Sequence, residues 1–228
     1  MKEIKHLFFD LDHTLWDYDR SAQETLLEIY ENLDMKAKGI REKKFVNTFY
    51  DVNEKLWHKY NHGLVDREHI KNDRFKDILK KVGIDIAYSQ EASEYFISNC
   101  STKPYLMPDA LEALQYLEGK YEMHIITNGF DVSQELKMQS SGIRKFFDVI
   151  VTSETANTRK PYPEIFELSL ELAKANKSNS IMIGDNPKTD IQGAHEFGMQ
   201  TVFYNPSGRK KSIATYTIES LTELIQLF

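Results

Sequence analysis

Cysteine is almost missing from this chain of 228 residues, with Cys100 standing alone. A disulfide framework within the chain is therefore excluded, and the composition predicts a reducing, cytoplasmic setting. Cys100 lies in the amphipathic stretch EASEYFISNC, so it reads as a packed helix position rather than a nucleophile. Long apolar runs are missing as well. Nothing approaches the ~20 residues of a membrane span. The start, MKEIKHLFFD, has no long apolar region and no small-residue cleavage site, so no membrane contact and no signal peptide are expected. Positive charge is in deficit: the net charge is −6 and the pI is near 5.7. A groove for duplex nucleic acid needs a basic stripe. The clusters at 41–44 (broken by Glu42) and 209–211 are short and read as solvated surface. A nucleic-acid polymer is therefore not the expected partner. No glycine-rich loop of the GxxxxGK type occurs, which removes support for an ATP-driven reaction.

Apolar residues make up 41% of the chain, enough for a real core, and the length suits one domain or a domain with an inserted module. The stretch IKHLFFDLDHTL, residues 4–15, organises the rest. Its first half is apolar, as expected of a strand buried on both faces of a parallel sheet. It then stops at Asp10 and Asp12, with Thr14 just beyond. Burying unpaired charge is costly, so packing does not explain two acids there. Open α/β sheets bind ligands at the carboxyl ends of their strands. Strand alternation would put both carboxylates on one side of the chain. At ~4 Å and an effective dielectric of ~20 they would repel by about 4 kcal/mol. A hard divalent cation such as Mg²⁺ relieves that repulsion, while an acidic junction capping a helix remains the alternative reading.

After Leu15 the periodicity becomes helical. One helix is predicted through SAQETLLEIYENL and a second along Phe45, Phe49, Val52, Leu56 and Tyr60. A third is expected over 66–81 and a fourth over 89–99, which together make a small bundle. From Pro108 helices and strands alternate. Strands are predicted at 121–127, 146–152, 180–185 and 200–204. Helices are predicted around 111–117 and at 131–139, 163–175, 188–197 and 219–228. The fold expected is α/β, a doubly wound parallel sheet formed by 1–15 and 103–228, with a helical bundle, 16–102, inserted after the first strand.

Polar groups recur at the strand ends. Thr127, Asn128 and Gly129 offer a hydroxyl and backbone N–H groups at a helix entry, a ready phosphate site. Lys160 precedes Pro161, which restricts its backbone and lets the side chain be aimed inward. Asp185 would meet Asp10 if their strands are neighbours, and Asp190 starts the next helix, where it could cap or orient a metal-bound water.

In chain order the set reads DxDxT, TN, K, GDxxxxD. This resembles the haloacid dehalogenase superfamily of phosphohydrolases over the whole chain, and the bundle corresponds to that family's helical cap. The resemblance implies a Mg²⁺-dependent phosphomonoesterase with Asp10 as nucleophile and Asp12 as general acid/base. Thr127, Lys160 and Asn128 would bind the phosphoryl group. Asp10, the Asp12 carbonyl and Asp185 would hold Mg²⁺, with Asp190 acting through water. In that role Asp12 has to start protonated, its pKa raised by the neighbouring carboxylate. FDLDHTLWDYDR is similar to the 5′-nucleotidase branch of the capped subfamily I, which implies a nucleoside monophosphate as substrate, with Trp16 placed to stack on a base. A phosphosugar phosphatase or phosphomutase on the same scaffold, or a silent phosphate-binding protein, are the alternatives. The partner expected is a small phosphate monoester, and the assembly a monomer or weak dimer.

Overall fold

The computed structural model describes residues 3–228. The chain divides into two compact units: one runs to Tyr18 and resumes over Pro104–Phe228, and the other is Asp19–Lys103.

The second unit is helical, built from α1 (Tyr18–Asn32), α2 (Glu42–Asn61), α3 (Arg67–Val82) and α4 (Ser89–Cys100). Each helix follows the predicted apolar stripe. Phe49, Phe75 and Phe96 meet in its core, with ring centroids 5.0–6.0 Å apart. The Arg74 guanidinium lies 4.5 Å from the Phe96 centroid, and its charge faces the rings. Asp66 caps α3 by accepting the His69 N–H, and Gly83 closes it in the left-handed conformation that glycine adopts without strain.

The first unit carries a six-stranded sheet of β1 (His6–Phe9), β2 (Glu122–Ile126), β3 (Val149–Val151), β4 (Ser180–Gly184), β5 (Gln200–Tyr204) and β6 (Tyr216–Ile218). The spatial order is β3-β2-β1-β4-β5-β6 and each pairing is parallel. The strand order reverses between β1 and β4, which is where such sheets open a crevice at their carboxyl ends. All residues of β1 and β4 are buried, which accounts for their unbroken apolar runs. The helices of this unit are α5 (Ala110–Leu117), α6 (Asp131–Ser140), α7 (Pro163–Leu172), α8 (Gly193–Phe197) and α9 (Leu224–Leu227). Phe8, Ile126, Val151 and Met182 pack on Ile165, Phe166 and Ala194, joining one face of the sheet to α7 and α8. Each such side chain contributes roughly 1.5–3 kcal/mol on full burial.

Three elements differ from expectation. The helix predicted over 188–197 starts as a wide π-turn, Pro187–Gln192, before α8. The helix predicted over 219–228 shrinks to a 3₁₀ turn, Leu221–Glu223, and α9. β6 was not anticipated because only Ile218 of its three residues is buried, too little for an alternating pattern. The segments on either side of the helical unit lie together: Trp16 bridges Leu106, and Asp17 N–H donates to the Tyr105 carbonyl at 3.0 Å. Among the described residues, no helix is long and apolar enough to cross a membrane.

Candidate active site

Register decides where the acids fall. Phe9 pairs with Ile125 of β2 and Ile183 of β4, so the next residue, Asp10, leaves the sheet beside Ile126 and Gly184. Its N–H donates to the Ile183 carbonyl at 2.9 Å. Lys160 arrives from the loop before α7 and is almost wholly enclosed, 1% exposed. Its ammonium reaches Asp10 Oδ1 at 2.6 Å, Asp190 Oδ1 at 2.9 Å and the Ile126 carbonyl at 2.7 Å. Thr14 ties Asp10 to the next acid: its hydroxyl donates to Asp10 Oδ2 at 3.3 Å and accepts the Asp185 N–H at 3.1 Å. Asp190 is drawn in by the π-turn, where its Oδ2 accepts the Asn186 N–H at 3.0 Å. Wide turns of this kind recur at functional sites.

Carboxylate oxygens of Asp10, Asp185 and Asp190 lie within 4.8 Å of one another. Lys160 answers Asp10 and Asp190 and Lys210 answers Asp185, so two ammonium groups face three carboxylates and the acids outnumber the cations. Burial pushes the Asp10 carboxyl up to about 7; Lys160 opposes the rise, and the charges of Asp190 and Asp185 add to it. Burial and Asp190 raise Asp185 as well, while Lys210 touches its outer oxygen at 3.1 Å. Burial disfavours the Lys160 ammonium, but Asp10 and Asp190 override that and raise its pKa. An all-oxygen donor set with excess negative charge suits a hard divalent cation.

Asp12 departs from expectation. β1 ends at Phe9, so strand alternation no longer applies, and Asp12 faces a different set of partners from Asp10. Lys137 Nζ grips both of its oxygens, at 2.7 and 3.0 Å, and Gln134 Nε2 donates to Oδ2 at 3.0 Å. Burial favours the neutral acid, but the Lys137 ammonium outweighs it and holds Asp12 below the usual carboxylate range. The resting residue is an ion-paired carboxylate, not the protonated acid anticipated from its sequence neighbour.

Thr127 Oγ1 accepts from Gln134 Nε2 at 2.6 Å and from the Gly129 N–H at 3.1 Å. A hydroxyl has two acceptor sites and one donor, so Thr127 has only its O–H left to give. Asn128 spends its amide on the Lys160 backbone, accepting the N–H at 2.7 Å and donating to the carbonyl at 2.9 Å. It braces the lysine loop. Trp16 is fully buried, with the Lys137 ammonium 4.7 Å from its ring. The expectation of an open stacking face for a base is corrected: the ring supports Lys137 instead. His13 takes a left-handed conformation, φ 64°, and helps turn the loop, its N–H bonding the Trp16 carbonyl at 2.9 Å.

Gln134, Lys137 and Lys210 were missed by sequence reasoning. For the first two a signal existed. They lie three apart on α6, and the buried stripe of that helix reads Gln134, Lys137, Met138, two polar groups where apolar ones belong.

A parallel sheet in this order, with its acids and lysine at the switch point, defines a doubly wound α/β protein with three carboxylates gathered past the carboxyl ends of β1 and β4. The sequence profile of the haloacid dehalogenase-like hydrolases matches residues 4–198. The chain belongs to that family. It is similar to the pyrimidine 5′-nucleotidase YjjG of Escherichia coli, 29% identical over 97% of this chain and 96% of the relative. It also resembles the pyrimidine 5′-nucleotidase PynA of Streptococcus pneumoniae, 26% identical over 97% of this chain and 93% of that one. The solved structure of the HAD-hydrolase YfnB of Bacillus subtilis, bound to magnesium, superposes with a TM-score of 0.86 at 27% identity, covering 99% of both chains.

Proposed function

We propose that the protein is a Mg²⁺-dependent phosphomonoesterase working through an aspartyl-phosphate, and that its substrates are nucleoside 5′-monophosphates. The observation that carries this reading is the rim at the switch point, where Asp10 is paired with Lys160 at 2.6 Å beside Asp185 and Asp190. Asp10 is the nucleophile: its carboxylate attacks phosphorus and the ester oxygen leaves, which divides a very slow hydrolysis into two steps. Lys160 and the Thr127 O–H bind the phosphoryl oxygens, with Asn128 holding the lysine in place. Asp12, ionised at rest against Lys137, takes up a proton from solvent as substrate binds, passes it to the leaving alkoxide, and then takes one from the water that cleaves the acyl phosphate. Asp10, Asp185 and the Asp12 carbonyl would hold Mg²⁺, with Asp190 acting through water. When bound, the cation supplies neutralising charge for the phosphoryl group and the acids around it. The helical unit is the cap in this reading and selects the leaving alcohol. The two nucleotidase relatives support the substrate class.

The test is phosphate release from p-nitrophenyl phosphate and from a panel of nucleoside and sugar monophosphates, with Mg²⁺ and with EDTA. Expected are metal-dependent turnover, a preference for nucleoside monophosphates and loss of activity in Asp10→Asn. Turnover that EDTA leaves intact, or a fully active Asp10→Asn, would overturn the mechanism. A preference for sugar phosphates would overturn the substrate class alone.

A further inference from the structure

α6 carries two buried polar side chains that the motif reading left without a role. Gln134 and Lys137 lie three residues apart and so share one face of the helix. Gln134 spends both amide hydrogens inside the site, one on Asp12 Oδ2 at 3.0 Å and one on Thr127 Oγ1 at 2.6 Å. Space for it comes from Gly129, where an added Cβ would lie 2.4 Å from the glutamine side chain. Lys137 holds both Asp12 oxygens and is itself backed by the Trp16 ring at 4.7 Å and the Tyr18 ring at 5.9 Å. A buried ammonium between a carboxylate and an aromatic face has little freedom to move.

We infer that Gln134 and Lys137 are positioning residues: Gln134 turns the Thr127 O–H toward the phosphoryl group, and Lys137 fixes the Asp12 carboxylate beside the scissile ester. The inference rests on the reaction proposed above. It separates two effects that a general loosening of the fold would mix. Gln134 acts on phosphate binding through Thr127, with a smaller effect on Asp12. Lys137 acts on the proton-transfer step and leaves binding alone.

Steady-state kinetics on p-nitrophenyl phosphate with Mg²⁺, joined to competitive inhibition by inorganic phosphate, reads the two separately. Gln134→Leu should raise both KM and the phosphate inhibition constant about tenfold, the scale of a lost hydrogen bond to a charged group. Lys137→Met should lower kcat by about 10²-fold, within the range for general acid–base groups, with KM changed less than about threefold. Lys137→Arg, which keeps the charge and the donors, should recover most of kcat. In an Asp12→Asn background Lys137→Met should cost nothing further, because its target is already gone. Should Lys137→Met fail to fold, Lys137→Gln carries the same comparison. Equal changes in kcat and phosphate inhibition for both variants, or an additive loss on top of Asp12→Asn, would overturn the inference. A wild-type protein with no turnover would overturn the proposed function first, and this assignment with it.

Discussion

Gly184 shows how little freedom a single position in this site has. It ends β4, and a Cβ built on it would stand 2.3 Å from Asp190 Oδ2 and 2.7 Å from that side chain's Cβ and Cγ. Asp190 closes on Lys160 only because position 184 has no side chain. Gly184→Ala should push Asp190 off the lysine, destabilise the protein by about 1–3 kcal/mol as overpacking does, and weaken Mg²⁺ binding and turnover by at least about tenfold. Urea unfolding and a Mg²⁺ titration check this, and wild-type values for both would refute it. A second residue ties stability to pH. His124 is buried on β2, and its Nε2 lies 3.2 Å from His6 Nδ1. Burial first, and then His6, lower its pKa to about 4. Between about 6.5 and 4 the unfolded chain binds a proton there that the folded chain refuses, so the stability this site contributes is lost as pH falls through that window. Asp10 titrates in the opposite sense over part of the same range, so the effect is read as a difference between two proteins. The stability of His124→Leu relative to wild type should improve steadily from pH 7 to pH 4.5 in urea melts. At this scale the sequence exposes groups that end strands, such as Asp10 and Asp185. It hides partners like Lys137, which reaches Asp12 across 125 positions, because nothing local connects them.

Elements were legible wherever burial imposed a period. α1 to α4 each bury one stripe, and β1 and β4 are buried throughout, so their patterns could be read directly. β6 and the π-turn were not, for opposite reasons. β6 is an edge strand with two exposed residues of three, so it carries no pattern. The π-turn buries Thr189, Asp190 and Ile191 in a row, and its width comes from Asn186 and Asp190 bonding each other's region of backbone rather than from apolar spacing. The helical unit makes its own test possible. Phe49 of α2 is fully buried and its ring meets those of Phe75 and Phe96. Phe49→Ala should cost about 3–5 kcal/mol in lost burial and cavity formation. Hydrogen exchange should report the loss in α2, α3 and α4. Equal acceleration across β1, β2 and β4 would mean that the two units unfold as one.

At the scale of the whole chain, the acids that gather at the rim all come from the sheet unit. Asp10, Asp185 and Asp190 lie in the part that ends at Tyr18 and resumes at Pro104, and none of them belongs to Asp19–Lys103. A cation held there stabilises the sheet unit directly, by offsetting the burial, and the added charges of Asp190 and Asp185, that lift Asp10 toward neutrality. Mg²⁺ at a hundred times its dissociation constant adds about 2.7 kcal/mol. For a chain of this size that is a rise in melting temperature of roughly 5–10 °C. Calorimetry with Mg²⁺ and with EDTA should show that rise, and Asp185→Ala should abolish it while leaving the protein folded. In Phe49→Ala, which should make the helical unit melt first, the cation should move only the later transition. If the earlier one moves by the same amount, the ion is being held by groups outside the sheet unit, and the assignment of its ligands to the ends of β1 and β4 fails.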